Sequence, residues 1–134
     1  MIGRIFTVGN GTSAATLQLP GGTHSFANGL VIANNATLSA NSTVVGTVGV
    51  LSGGTLSPGD GIGTLVLSNT PSLGGTIIME AFKIGATKFN DQIQVTATLI
   101  YGGSLTVSNL GVTVFVAGDY FKLFNAGAYG NSFA

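Results

Sequence analysis

The chemistry open to this chain is sparse: Asp60, Glu80, Asp91 and Asp119 are its acids, Arg4, Lys83, Lys88 and Lys122 its bases, and His24 its single imidazole. The densest candidate is GGTLSPGDGIGTL, Gly53 to Leu65, which sets Asp60 among glycines and a proline. A glycine-rich loop cradles phosphate when its backbone N–H groups and the N-terminus of a following helix converge on the anion. Here TLVLS follows, which is a strand pattern, and no lysine succeeds the last glycine. Calcium would find Asp60 and backbone carbonyls, but one carboxylate makes a weak cage for an ion that takes roughly six to eight oxygens. The run therefore reads as a corner: Pro58, Gly59 and Gly61 turn the chain, and Asp60 accepts the hydrogen bonds of the turn.

His24, in GGTHSF, would need a carboxylate to orient it as a base, and the nearest acid in sequence is Asp60. A surface histidine between turns is the simpler reading. Paired carboxylates can cleave glycosidic bonds, yet residues 1–59 hold no acid. Asp91 in FNDQI and Asp119 in AGDYF stand at strand starts, where a carboxylate serves the backbone N–H groups of a turn. Thr16, Thr37, Thr43, Thr55 and Thr64 are frequent but form no T-x-T array of the kind that orders water on a flat face. Absence of cysteine removes thiolate chemistry and cysteine-held metals. These residues assign no catalytic, cofactor-binding or metal-ligating position, and the chain is not read as an enzyme.

The composition narrows the partners. Charged residues make up 6% of the chain, against about 25% in ordinary domains, and the formal net charge is zero. No basic face is available to steer nucleic acid or anionic lipid. Apolar residues at 45% are enough to build a core, so a disordered chain is excluded. MIGRIFTVGNG lacks the charged and apolar regions of a secretory signal, and no stretch reaches the roughly 18 apolar residues of a membrane span.

The elements that must carry these residues are strands. Threonine, valine, serine, glycine and asparagine dominate, and glycine falls too often for a three-turn amphipathic helix. Phe26, Ile32, Leu38, Val44, Val50, Leu56 and Ile62 follow one another at intervals of six. Four positions after each lie Leu30, Ala36, Ser42, Val48, Gly54 and Asp60, small or apolar until the last. A six-residue step suits a three-faced β-solenoid in which each face turns an apolar residue inward and three faces close a coil of eighteen, so that about seven coils fit the length. Asn28, Asn34, Asn35 and Asn41 are candidates for ladders at the corners, where φ > 0 is needed.

Beyond Ile62 the pattern changes. GTIIMEAFKIG is apolar on both alternating rows and predicts a strand covered on both faces. DQIQVTATLIYGGSLTVSNL alternates cleanly, its YGGS leading into either a hairpin or the next coil. Charges and aromatics gather here, with Tyr101, Phe115, Tyr120, Phe121, Phe124, Tyr129 and Phe133 near the end. The expectation is one all-β domain over residues 1–134. Regular coils fill 6–62, and less regular coils in 63–134 end in an aromatic-rich cap that protects the last edge.

The run FTVGNGTSAATLQLPGGTHSFANGLVIANNATLSANSTVVGTVGVLSGGTLSPGDGIGTLVLSN resembles the glycine- and threonine-rich β-strand repeat of bacterial autotransporter passengers. GGTLSPG, IGTL and the later NDQIQV, GGSLTV and AGDYFKLFNAG are similar to the closing segment of such repeats. The resemblance implies a right-handed parallel β-helix, an extracellular or bacterial cell-surface location, and a role as stalk, adhesin body or aid to passenger folding. It transfers no catalytic residue. Left-handed hexapeptide helices fit less well, because Val45 and Leu51 occupy positions that are small or polar there.

Three functions follow. The leading one is a non-catalytic structural solenoid, exported or on the bacterial surface, that serves extension, display or adhesion; in one version an end without a cap self-associates end to end into a fibre, helped by zero net charge. A second is a surface-glycan module using Tyr101, Tyr120 and Tyr129. The third, a polysaccharide-active enzyme, is least supported.

Overall fold

Glycine, asparagine and serine clusters interrupt the apolar runs every few residues, so strands form but stay short. The computed structural model describes residues 5–59 and 61–133. Its first nine strands are β1 (Phe6–Val8), β2 (Ala15–Leu19), β3 (Thr23–Ser25), β4 (Leu30–Ile32), β5 (Ala36–Ala40), β6 (Thr43–Val45), β7 (Val48–Val50), β8 (Thr55–Ser57) and β9 (Thr64–Leu67). Six more follow: β10 (Ser72–Leu73), β11 (Thr76–Ile84), β12 (Thr87–Asn90), β13 (Gln92–Ile100), β14 (Ser104–Asn109) and β15 (Phe124–Gly130). The described residues are all-β.

The strands fall into three sheets visited in rotation. The first sheet runs β1-β4-β7-β10, the second β2-β5-β8-β11 with β12 and β14 both on β11, and the third β3-β6-β9-β13-β15. Apart from the antiparallel β11–β12 hairpin, the pairings are parallel. Each rank of three strands thus lies on the rank before it.

The six-residue step is right for the middle of the chain. Leu30 pairs with Val48 and Leu38 with Leu56, each eighteen residues apart. Ile32, Leu38, Val44, Val50 and Leu56 all point inward and are buried, as are Leu30, Ala36, Ser42, Val48 and Gly54 from the second row. Burying one such leucine stabilises the fold by about 1.5–3 kcal/mol. The step fails at both expected ends. Phe26 follows β3 and is half-buried, and the residue above His24 is Val44. Ile62 lies outside any strand, and Val44 pairs instead with Leu67, because the loop around Gly59–Gly63 adds residues to the corner.

Corner asparagines bond to neighbouring turns rather than to one another. Asn34 Nδ2 donates to Gly11 O at 3.0 Å, Asn35 Nδ2 to Thr12 O at 2.9 Å, and Thr64 N donates to Asn41 Oδ1 at 3.0 Å. Asn28 is exposed. Gly53, at φ 81°, lies against Asn34, where any side chain would collide with its amide. These amides tie one rank to another through groups that the strand ladders leave free.

The second sheet has five ranks, not the seven that a constant eighteen-residue coil would give, because its other coils are longer, Thr16 to Thr37 already spanning twenty-one residues. Thr55 to Thr76 is a step of twenty-one and Thr76 to Ser104 one of twenty-eight. Register also aligns what the linear sequence hides: Thr16, Thr37, Thr55, Thr76 and Ser104 form one outward column.

Candidate functional site at the terminal rank

The upper ranks begin with a strand too long for its face. β11 and β13 have nine residues each, where β4 to β8 have three to five. In β11, Ile77, Met79 and Ala81 continue the core, while Thr76, Ile78, Glu80 and Phe82 are half-buried. The prediction of cover on both faces is therefore corrected to one covered row. The distal half of β11 leaves the stack and folds back through Gly85-Ala86 into β12, with Ile84 opposite Thr87. Gly85 at φ 60° supplies the first position of this two-residue turn. Phe82 and Phe89 stack across the hairpin at 4.8 Å between centroids.

The hairpin sets Lys83 directly opposite Lys88, a pairing of like charges that destabilises a sheet by itself. Asp119 offsets it. Its Oδ2 accepts from Lys83 Nζ at 2.6 Å and from Val116 N at 2.8 Å, and its Oδ1 lies 3.8 Å from Lys88 Nζ. The Lys83 hydrogen bond, with help from the Val116 N–H, holds this carboxyl below its usual range. Lys83 is buried in the row that Ile77, Met79 and Ala81 define, and sequence reasoning passed over it. A lone cation in an alternating apolar row is the signal that would have found it. The residues after β14 are thereby fastened beside the hairpin, where Leu110 N also donates to Ala81 O.

Asp91 is the second fixed carboxylate. It is fully buried between β12 and β13, accepting from Gly63 N on Oδ1 and from Glu80 N on Oδ2, both at 2.8 Å. Burial pushes its pKa up to about 6, opposed by those two N–H groups and reinforced by the charge of Glu80. Asp91 joins the GDGIG corner of one rank to the hairpin of the next. The carboxylate serving that corner is thus Asp91, thirty-one residues past Asp60; Asp60 itself, and the role expected of it, lie outside the described residues.

His24 is half-buried in β3, its Nε2 2.7 Å from Gly21 O in an exposed hydrogen bond. Among the described residues, no group of three or more histidine, aspartate and glutamate side chains gathers to hold a metal ion. Tyr101 and Tyr129 stack at 6.1 Å, and Tyr101 also packs on Phe124 and Phe133 at 5.3 and 4.9 Å. Burial, with the nearby Tyr129, raises the Tyr101 phenol above its ordinary pKa. Tyr120 stands apart, 80% exposed near Lys88, so the three tyrosines do not make one platform.

YGGS proves to be a corner into the next rank: β14 lies parallel on β11 through six residues, from Thr76↔Ser104 to Ala81↔Asn109. β15 lies likewise on β13, and Ala126 follows Val95 in the third sheet. The aromatic-rich end thus adds β14 and β15 to the second and third sheets, with Tyr101, Leu123, Phe124 and Phe133 packed against the core. Leu105 and Phe124 remain half-buried and Val107 is 46% exposed, although their partners Ile77, Ile93 and Met79 are buried. No described strand pairs with the outer edge of β14 or β15. On β15 the Tyr129 hydroxyl takes up outward backbone groups, accepting from Ala126 N at 2.8 Å and donating to Phe124 O at 3.5 Å. In comparisons with protein-family models, curated proteins and solved structures, nothing matches the chain.

Proposed function

We propose that the chain is a right-handed parallel β-solenoid serving as a non-catalytic structural body of a bacterial exported or cell-surface protein. The observation that carries this reading is the register of the second sheet. Thr16, Thr37, Thr55, Thr76 and Ser104 stack in one outward column, with Leu17, Leu38, Leu56, Ile77 and Leu105 in line beside them. Stacked ranks of this kind transmit force along the axis through backbone hydrogen bonds and a continuous apolar column, which suits a stalk or adhesin body. Right-handedness is favoured by the steric preference of parallel strand–crossover–strand connections. Asp91 and Asp119 support a structural role, since each carboxylate is engaged with backbone N–H groups or lysine.

The test is surface labelling of intact source cells with an antibody to the chain, before and after external protease. Label that the protease removes is the expected result, and label confined to lysed cells would overturn the location. A crystal structure showing left-handed coiling would overturn the handedness. Saturable binding on a glycan array that is lost in Tyr120→Ala would favour the glycan module instead.

A further inference from the structure

We propose that Asn10 is a self-modification site, at which the Gly11 amide nitrogen closes on the Asn10 side chain to a succinimide that water opens to aspartate or isoaspartate. Neither the handedness nor the location proposed above bears on this site. Asn-Gly is the pair best able to react in this way, because glycine leaves the attacking nitrogen unshielded, and the chain holds two, Asn10-Gly11 and Asn28-Gly29. Both asparagines are exposed. The fold treats them differently. Asn10 Oδ1 accepts from Thr12 N and Ser13 N, each at 2.9 Å, so the carbonyl to be attacked is already polarised by two donors. Among the described residues nothing accepts from Gly11 N, and a side-chain carbon placed on Gly11 would meet no atom within 4 Å. At the other pair, Gly29 N donates to Phe26 O at 2.9 Å, and a carbon placed on Gly29 would lie 3.3 Å from Thr47 O. The Asn10 corner stands on the flank of the stack, as do Asn34, Asn35, Ser52 and Gly53 in the ranks after it, all exposed.

The step balances with water alone. Hydroxide takes the Gly11 N–H proton, the nitrogen forms a bond to Asn10 Cγ, and the charge passes to Oδ1. Thr12 N–H and Ser13 N–H stand where that oxyanion forms, so they bind it more tightly than they bind the neutral amide. The Cγ–Nδ2 bond then breaks, and Nδ2 leaves as ammonia, taking its third hydrogen from water and returning hydroxide. Water adds to one imide carbonyl and the bond from that carbon to nitrogen opens. The product is aspartate or, where the main chain now runs through Cγ, isoaspartate. Either one puts a carboxylate into residues 1–59, which hold no acid, and lowers the formal net charge by one unit from zero. Isoaspartate also lengthens the main chain by one carbon, just before the carbonyls of Gly11 and Thr12 that accept from Asn34 Nδ2 and Asn35 Nδ2. The corner tie between the first two ranks is thereby loosened, irreversibly and without an enzyme.

The test follows both pairs in the purified chain at neutral pH, folded in buffer or unfolded in urea, by peptide mass spectrometry that separates asparagine, aspartate and isoaspartate. In urea the two are expected to convert at similar rates. In the folded chain Asn10 is expected to convert at least about tenfold faster than Asn28, and faster than Asn10 does in urea; tenfold corresponds to about 1.4 kcal/mol in the barrier. Ser13→Pro removes one donor and leaves Asn10, Gly11 and Thr12 in place, so it should slow Asn10 about tenfold with Asn28 unchanged. Should that variant not fold, as circular dichroism would show, the wild-type comparison decides alone. Folded Asn10 converting no faster than Asn28, or more slowly than in urea, would overturn the assignment. So would a folded Ser13→Pro chain that converts Asn10 at the wild-type rate.

Discussion

Residues 30–57 and residues 76–133 use the same three sheets in different ways. In the lower region strands are three to five residues long, the step is eighteen, and every inward residue is buried between a rank below and a rank above. In the upper region β11 and β13 overrun their faces, an antiparallel hairpin leaves the stack, and the last rank has a neighbour on one side. Stability in the lower ranks comes from repetition. In the upper ranks it depends on individual polar ties, namely Asp91 between corner and hairpin and Asp119 between two lysines. A repeat needs no special residue, whereas each departure from it leaves backbone or charge that one side chain must satisfy.

The contrast is broken most directly in the apolar columns. Leu56→Ala is expected to cost about 2–5 kcal/mol in denaturant unfolding, because the cavity lies between two filled ranks. Val107→Ala, in the open rank, should cost less than about 1 kcal/mol. Equal losses would mean that the terminal rank is covered in the free chain. Glycines repeat the comparison on a smaller scale. Gly46, at φ 113°, would drive a side chain into Phe26 O, whereas Gly118, at φ 94°, faces open space. Thermal melts should show Gly46→Ala losing on the order of 3 kcal/mol and Gly118→Ala about 1 kcal/mol, the backbone strain alone.

The two polar ties respond to pH with opposite sign. Asp91 has a folded pKa of about 6, above its ordinary value, so the folded state binds its proton more tightly than the unfolded chain does. Its contribution is full below about pH 4 and is lost as pH rises through 6, a change on the order of 2–3 kcal/mol. Denaturant midpoints of the wild-type chain should therefore fall between pH 4 and pH 7, and Asp91→Asn should flatten that slope. Asp119 is held below its usual range, so its contribution is present at neutral pH and is lost as pH falls through the depressed value. The smallest global effect belongs to that pair. Asp119→Asn should speed amide exchange in residues 110–122 about tenfold while the core melts as before, and Lys83→Met should leave stability unchanged or raised.

Much of the fold was legible in the order of residues. Ile32, Leu38, Val44, Val50 and Leu56 recur at intervals of six, and a period fixes which side chains share a face. Glycine and asparagine at the intervals mark corners, since Asn35 and Gly53 adopt φ values that other residues resist. Such features are local, so composition and spacing determine them. Long-range placement was not legible. Nothing near Asp91 names Gly63 or Glu80 as its donors, nothing near Lys83 names Asp119 thirty-six residues later, and the threonine column appears only when steps of twenty-one, eighteen and twenty-eight are laid on one another. Sequence alone determined that this chain is built of short strands around inward apolar rows. The tertiary structure decided how long each coil is, and with it which distant polar groups meet and which edge stays open, because coil length is set by how loops close and not by any local preference.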